Sequence, residues 1–136
     1  MRTEPYIFFR GRCAEAFEFY RKTLGAEITS VIRFSDLPGL APDIKDQVMH
    51  AVLRIGDTTV FGSDGGDDKQ GAKASGFALS LQVTEDAEAE RLFAALARAG
   101  IVEVALMSTP FASRFAKVTD RFGTPWMIVT QQQQPR

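Results

Sequence analysis

Apolar residues along this chain follow two rhythms, and the order of the rhythms is written twice. Pro5-Tyr6-Ile7-Phe8-Phe9 is aromatic and β-branched, too short for a free helix, and predicts a strand. After the turn Arg10-Gly11-Arg12, Cys13 to Leu24 puts Ala16, Phe19, Tyr20 and Thr23 on one helical face, with Phe17 and Leu24 beside it. Gly25 is a natural helix stop. Glu27 to Phe34 alternates as a strand does. Ser35 to Asp46 holds Pro38-Gly39 and Pro42 and predicts an irregular loop. From Val48 to Ile55, Met49, Ala51, Leu53 and Ile55 face one way, and His50, Val52 and Arg54 the other. Gly56-Asp57 signals a two-residue hairpin turn into a strand from Thr58 to Ser63.

The same order then returns. Phe77 to Val83 sets Leu79, Leu81 and Val83 against Ala78, Ser80 and Gln82. A helix capped by Thr84 or Asp86 runs to Ala99, with Glu85, Asp86, Glu88 and Glu90 in its first turns, where the macrodipole favours acids. Leu92, Phe93 and Leu96 form its apolar stripe. Glu103 to Met107, Arg114 to Thr119 and Trp126 to Thr130 read as strands, joined by Pro110-Phe111-Ala112-Ser113 and Asp120-Arg121-Phe122-Gly123. Ala14-Glu15-Ala16 is answered by Ala87-Glu88-Ala89, and Gly56 to Phe61 by Gly123 to Ile128. Identity between the copies is low and the order of elements is kept, which makes the repeat a statement about fold.

The prediction is an α+β fold of two βαβββ modules whose sheets surround a central cleft, each packing one helix on its convex side. Module one covers about residues 4–63, a linker about 64–75 and module two about 76–130, within a single domain spanning 1–136. The convex core of the first module is expected at Phe17, Phe19, Tyr20, Leu53 and Ile55. That of the second is expected at Leu79, Leu81, Leu92, Phe93, Leu96, Met127 and Val129. The linker's acids Asp64, Asp67 and Asp68 lack the spacing and terminal Glu of a calcium loop, so they read as solvated linker. Gln131 to Arg136 reads as a frayed polar tail.

Charge narrows the partners. Sixteen Lys and Arg against 17 Asp and Glu give a net charge of −1, with no basic surplus for nucleic acid or an anionic membrane. No apolar run reaches the ~20 residues that span a bilayer, and Met1 to Pro5 lacks signal-peptide architecture. The single cysteine allows no internal disulfide. A soluble cytoplasmic protein is expected.

Three groups of segments carry a resemblance: Pro5 to Phe9 with Cys13 to Tyr20; Val48-Met49-His50-Ala51 with Arg54-Ile55-Gly56-Asp57; and Arg114-Phe115 with Val118 to Trp126. In this order they resemble the PhnB-like branch of the vicinal oxygen chelate superfamily, the paired-βαβββ proteins that include glyoxalase I, extradiol dioxygenases, fosfomycin resistance enzymes and bleomycin-binding proteins. The resemblance implies the fold and a homodimer. It implies no single reaction, because this fold hosts many. Members of the branch often carry a ubiquinone methyltransferase label. Here no glycine-rich turn follows a strand and opens a helix, as a nucleotide-type cofactor would need, so no cofactor is expected. The superfamily's metal ligands are His, Glu or Gln. Their positions fall at Pro5 (or Glu4 after a one-residue slip), at Phe61 (or Ser63 after two), at Ala78 and at Ile128. No metal is expected.

Candidate site residues follow from the cleft. His50, the one histidine, faces away from Leu53 and Ile55 and is the candidate base or orienting donor. Its alternative is a strand histidine satisfied by a neighbour. Arg54 and Arg114 suit a carboxylate or phosphate, or else rim salt bridges with Asp57, Asp120 or Glu103. Ser80 and Gln82, with Ser63, are polar pocket liners. Phe61, Phe111 and Trp126 offer an aromatic wall, or core filling. Cys13 at a helix start reads as a small buried hydrophobe, and Asp120 as a turn-fixing residue. Two functions stay open: a metal-independent protein that binds a small molecule, and an enzyme of the lyase, isomerase or transferase kind using His50 and the arginines. A purely structural dimer module is a weaker third.

Overall fold

A computed structural model describes residues 1–37, 46–65 and 75–131. The predicted loop at 38–45, most of the linker at 66–74 and the tail at 132–136 lie outside the described residues. The chain divides into two compact units, Met1–Ala72 and Lys73–Arg136.

In the first unit, β1 (Tyr6–Phe8), α1 (Cys13–Leu24), β2 (Glu27–Arg33), β3 (Val48–Ile55) and β4 (Thr58–Ser63) form a four-stranded sheet with one helix. The strand order is β1-β4-β3-β2, with β1 parallel to β4 and the other pairs antiparallel. The turn from Phe34 to Asp36 after β2 is a short 3₁₀ helix, where the sequence pattern had carried the strand on to Phe34.

Alternation decides what the helix covers. Cys13, Ala16, Phe17 and Tyr20 are the buried residues of α1. Ala51 and Leu53 of β3, paired with Gly62 and Val60 of β4, are buried on the helix side. Burying side chains of this size stabilises by about 1.5–3 kcal/mol each. Gly62 is what lets the layers approach, since a Cβ there would stand 2.7 Å from the Phe17 ring. Gly25 ends α1 in the left-handed conformation, at φ 67°.

Asp64 corrects the reading of the linker. It is buried, and its carboxylate accepts from the backbone N–H of Cys13 at 2.8 Å and of Val48 at 2.7 Å. Arg12, at the N-cap position, makes no side-chain cap bond, so Asp64 satisfies the first turn of α1 from across the unit.

The second unit repeats the plan with β5 (Leu79–Val83), α2 (Asp86–Ala97), β6 (Ile101–Thr109), β7 (Ala112–Thr119) and β8 (Pro125–Gln131). The order is β5-β8-β7-β6, and β5 runs parallel to β8. Neither Thr84 nor Asp86 caps α2. Glu85 holds the N-cap position and makes no cap bond. The helix stops at Ala97, short of Ala99, and β6 is longer than predicted at both ends.

The two sheet faces of this unit are assigned differently from the sequence reading. Arg114, Ala116 and Val118 pair with Thr130, Ile128 and Trp126, and Arg114 reaches Asp86 and Glu90 of α2. That row therefore lies under the helix, and Ala116, Val118, Trp126 and Ile128 are its buried core. Met127 and Val129, expected there, pair with Lys117 and Phe115 on the opposite face. The run Trp126-Met127-Ile128-Val129 is apolar at every position, so nothing in it marks which alternate residues turn inward.

The loop before β8 is set by Asp120. Its carboxylate accepts from the N–H groups of Phe122 (2.8 Å) and Thr124 (3.1 Å) and from Nε1 of Trp126 (2.8 Å). This is the turn-fixing role that its residue type suggested. Among the described residues no helix is long and apolar enough to cross a membrane.

Candidate functional site

The face of the first sheet opposite α1 gathers the chemistry. Parallel pairing sets Tyr6 beside Phe61 and Phe8 beside Ser63. Antiparallel pairing sets Val52 beside Phe61, and His50 lies one alternation further along β3, opposite Ile32. The side chains of Tyr6, Phe8, His50 and Phe61 consequently share one face. Tyr6 and Phe8 are 42% and 64% exposed, far more than core aromatics are.

These rings touch as a layer. His50 stacks on Phe61 with centroids 5.3 Å apart and planes at 30°. Tyr6 lies 5.5 Å from His50, 5.9 Å from Phe61 and 5.1 Å from Phe8. Tyr6 Oη is 3.0 Å from Nδ1 of His50. Burial pushes the Tyr6 phenol up, a hydrogen bond with Ser63 pulls it down, and the Cys13 sulfur adds a further push up. The net direction keeps the phenol protonated. Ser63 is buried below them. Its hydroxyl donates to the Val48 carbonyl at 3.3 Å and accepts from the Gly65 N–H at 3.0 Å. The surface is thus a π-rich floor with one polar pair set into it, suited to recognising a flat molecule.

The other predicted residues sit elsewhere. Arg54 is exposed at the far end of β3, and its Nε donates to the Gly56 carbonyl at 3.2 Å. Arg114 lies on the helix side of the second sheet, ion-paired to Asp86 and Glu90. Its salt-bridge alternative is the observed one, with helix acids as partners in place of Asp57, Asp120 or Glu103. Trp126 is 1% exposed and its Nε1 is spent on Asp120. The aromatic wall loses that member to the core, because the five residues between β7 and β8 turn its ring under α2. Ser80 and Gln82 are exposed on the face opposite α2, beside Met127 and Val129, and Gln82 accepts from Gln131 at 2.7 Å. Phe111 is exposed and meets Phe115 edge-on at 5.5 Å.

Sequence reasoning passed over Tyr6 and Phe8 as functional residues. Their alternation was visible, but the pairing of β1 with β4, which brings them to His50, is a contact more than 40 residues apart in the chain. Cys13 is fully buried, and its thiol is pushed up to about 12, first by burial and then by Asp64, against a pull from Arg33. It is no nucleophile.

The groups implied by the superfamily were weighed against these side chains. Among the described residues no three His, Cys, Asp or Glu gather as metal ligands. Phe61 is committed to stacking on His50, Ile128 to the core under α2, and Glu4 to an ion pair with Arg2. A divalent ion does not fit this donor set. A nucleotide-type methyl donor fits no better. The turn into α1 holds a single glycine, and the Asp64 carboxylate already occupies the helix N-terminus. The start of α2 is lined by Glu85 and Asp86, the latter held by Ser113 and Arg114.

Comparison with known proteins adds a family. A family model described as 3-demethylubiquinone-9 3-methyltransferase matches residues 2–129. Protein YjdN of Escherichia coli K12 is 37% identical over 146 aligned positions, covering 99% of this chain and 99% of YjdN. The crystal structure of protein PA1353 from Pseudomonas aeruginosa is 39% identical, with a TM-score of 0.89, over 98% of this chain and 99% of that one. A PhnB protein from Bacillus cereus, 22% identical, has a TM-score of 0.82 over 95% of this chain and 98% of its own, a likeness of fold.

Proposed function

Since the chain belongs to the 3-demethylubiquinone-9 3-methyltransferase family, the PhnB-like branch of the vicinal oxygen chelate superfamily, we propose that it is a metal-independent small-molecule-binding protein whose receptor surface is the His50 face of the first sheet. The observation that carries this reading is the ring layer of Tyr6, His50 and Phe61 with its internal hydrogen bond. A contiguous aromatic surface, exposed at Tyr6 and Phe8 and half-buried at His50 and Phe61, with one polar pair set into it, is what small-molecule sites use. The stacking of Phe61 and the burial of Ile128 support independence from metal. The protein works as a homodimer in the cytoplasm. The long edge strand β6, with Ile101, Val102 and Met107 exposed, supports a second copy as its cover, and the lone buried thiol suits a reducing compartment.

The test is a fragment screen on isotope-labelled protein, with metal analysis and native mass spectrometry of the same preparation. Shifts clustering on Tyr6, Phe8, His50 and Phe61, no stoichiometric metal and a dimer mass are expected. One divalent ion per chain that is lost in His50→Ala would overturn metal independence. A strictly monomeric mass at micromolar concentration removes the dimer.

One observation favours a second reading. A histidine hydrogen-bonded to a phenol is also an acid–base pair, so an enzyme of the lyase, isomerase or transferase kind is the alternative. It requires a turnover that His50→Ala abolishes, and neither Arg54 nor Arg114 supplies its anion site.

A further inference from the structure

The ring layer of the first unit holds the chain's one histidine. Of the side-chain types on this face, only imidazole ordinarily changes charge between about pH 5 and 8. What surrounds His50 decides what that change does. On β1, Tyr6 Oη lies 3.0 Å from its Nδ1. On β4, Phe61 stacks on it at 5.3 Å, and Ser63 is buried below. On β2, Ile32 is its cross-strand neighbour. The charged groups of these elements are committed elsewhere. Asp64 holds two backbone N–H groups, and Glu4 pairs with Arg2. Arg54 donates to the Gly56 carbonyl and Arg33 to the Asp46 carbonyl. Burial keeps the proton on the Cys13 thiol.

The hydroxyls beside His50 suit either charge. Tyr6 bonds both His50 and Ser63, and Ser63 bonds the Val48 carbonyl at 3.3 Å and the Gly65 N–H at 3.0 Å. A hydroxyl both donates and accepts. Above an imidazolium, Nδ1–H donates to Tyr6, Tyr6 to Ser63, and Ser63 to the Val48 carbonyl. Beside a neutral imidazole of either tautomer, Tyr6 donates or accepts and the chain still closes. Protonation therefore asks only for O–H rotation, and the ring stays on Phe61. Resting on the binding reading above, we propose that this face is a receptor for flat organic cations and that His50 gates it by charge, open while the imidazole is neutral and closed once it is protonated. The π faces of Tyr6, Phe8 and Phe61 attract positive charge. An imidazolium in the same layer, about one ring spacing away, repels it.

The single histidine makes the test unambiguous, because its ring-proton signals report the titration midpoint of His50 alone. Three probes of one shape keep their charge from pH 5 to 9: N-methylquinolinium, a cation; 2-naphthylmethanol, neutral; and 2-naphthalenesulfonate, an anion. The cation should bind about tenfold more tightly above the His50 midpoint than below it. Its affinity should inflect at that midpoint, and saturation with it should lower the midpoint by about one pH unit, as linkage requires. The neutral probe should be flat and the anion should run the other way. In His50→Gln all three profiles should be flat, with the neutral probe within about twofold of its wild-type affinity.

A cation profile that is flat through the His50 midpoint, or that inflects elsewhere, overturns the gate. A cation that binds no more tightly than the neutral probe above the midpoint overturns the ligand class. Through-space contacts between the His50 and Phe61 rings should be the same on both sides of the midpoint, and their loss on the acid side overturns the fixed ring. Failure of the binding reading itself looks different: no probe then perturbs Tyr6, Phe8, His50 or Phe61 at any pH, and gate and receptor fall together.

Discussion

The two units share a plan and part company on the face that their helices leave uncovered. In the first unit that face carries Tyr6, Phe8, His50 and Phe61 as one layer. In the second it carries Ser80, Gln82, Phe115, Lys117 and Met127, with Lys117 ion-paired to Glu103. Beneath the helices the resemblance returns. Each unit buries small and branched residues against its helix, and each ties its chain with one buried aspartate, Asp64 in the first and Asp120 in the second. The helix side is under the same packing demand in both copies. The uncovered side is free to differ, and one copy has become a candidate receptor.

The largest expected effect tests which face of the second unit is core. Ile128→Ala should cost about 2–5 kcal/mol by denaturant unfolding, because the side chain is fully buried under α2 and its loss leaves a cavity. Met127→Ala, one residue away on the other face, should cost less than about 1.5 kcal/mol. The reverse order would invert the face assignment and return Met127 to the core.

Next come the aspartates. Asp64→Ala strands two backbone N–H groups, and Asp120→Ala strands two N–H groups and the Trp126 indole. Hydrogen bonds to a charged group contribute about 1.5–3 kcal/mol each, and the losses overlap within one knot. A cost of about 2–4 kcal/mol is expected for each variant, larger for Asp120. Costs below about 1 kcal/mol at either position would mean that water replaces the carboxylate, and that the units are not closed in the same way.

The element order was legible in the sequence because periodicity is local. Alternation from Val48 to Ile55 and the stripe at Leu92 and Leu96 sufficed to place strand and helix. The candidate site was legible only at its centre. His50 and Phe61 were identified on their own strands, but Tyr6 joins them through pairing of β1 with β4, and no local pattern records that pairing. Asp64 was hidden by its neighbours, since a polar, glycine-rich stretch begins at that residue and its burial is decided by α1 and β3. Arg114 misled for a related reason. Strand alternation gives two faces, and the acids of α2 that claim the guanidinium come from an element more than 20 residues away in the chain.

The smallest effect separates the units by pH. Cys13 belongs to the first unit, and the second has no cysteine. Its thiol is pushed from 9.0 to about 12, first by burial and then by the Asp64 carboxylate, with Arg33 pulling the other way. The folded chain therefore holds this proton more tightly than the unfolded chain does. The resulting stability is complete below about pH 9 and is lost as pH climbs from 9 toward 12, at about 1.4 kcal/mol per pH unit. By pH 10 the loss from this group is about 1.4 kcal/mol. Tyrosines and lysines also titrate there, so the measurement is a comparison of slopes. Unfolding free energies of the wild type and Cys13→Ala, followed from pH 8 to 10.5, should converge as pH rises, because the variant has no thiol to ionise. Asp64→Asn removes the second cause of the shift, so its loss of stability should keep the same slope and level off at a lower pH than that of the wild type. Parallel curves for wild type and Cys13→Ala would mean that the thiol is not sealed beneath α1, and that the first unit is looser at its helix start than the second.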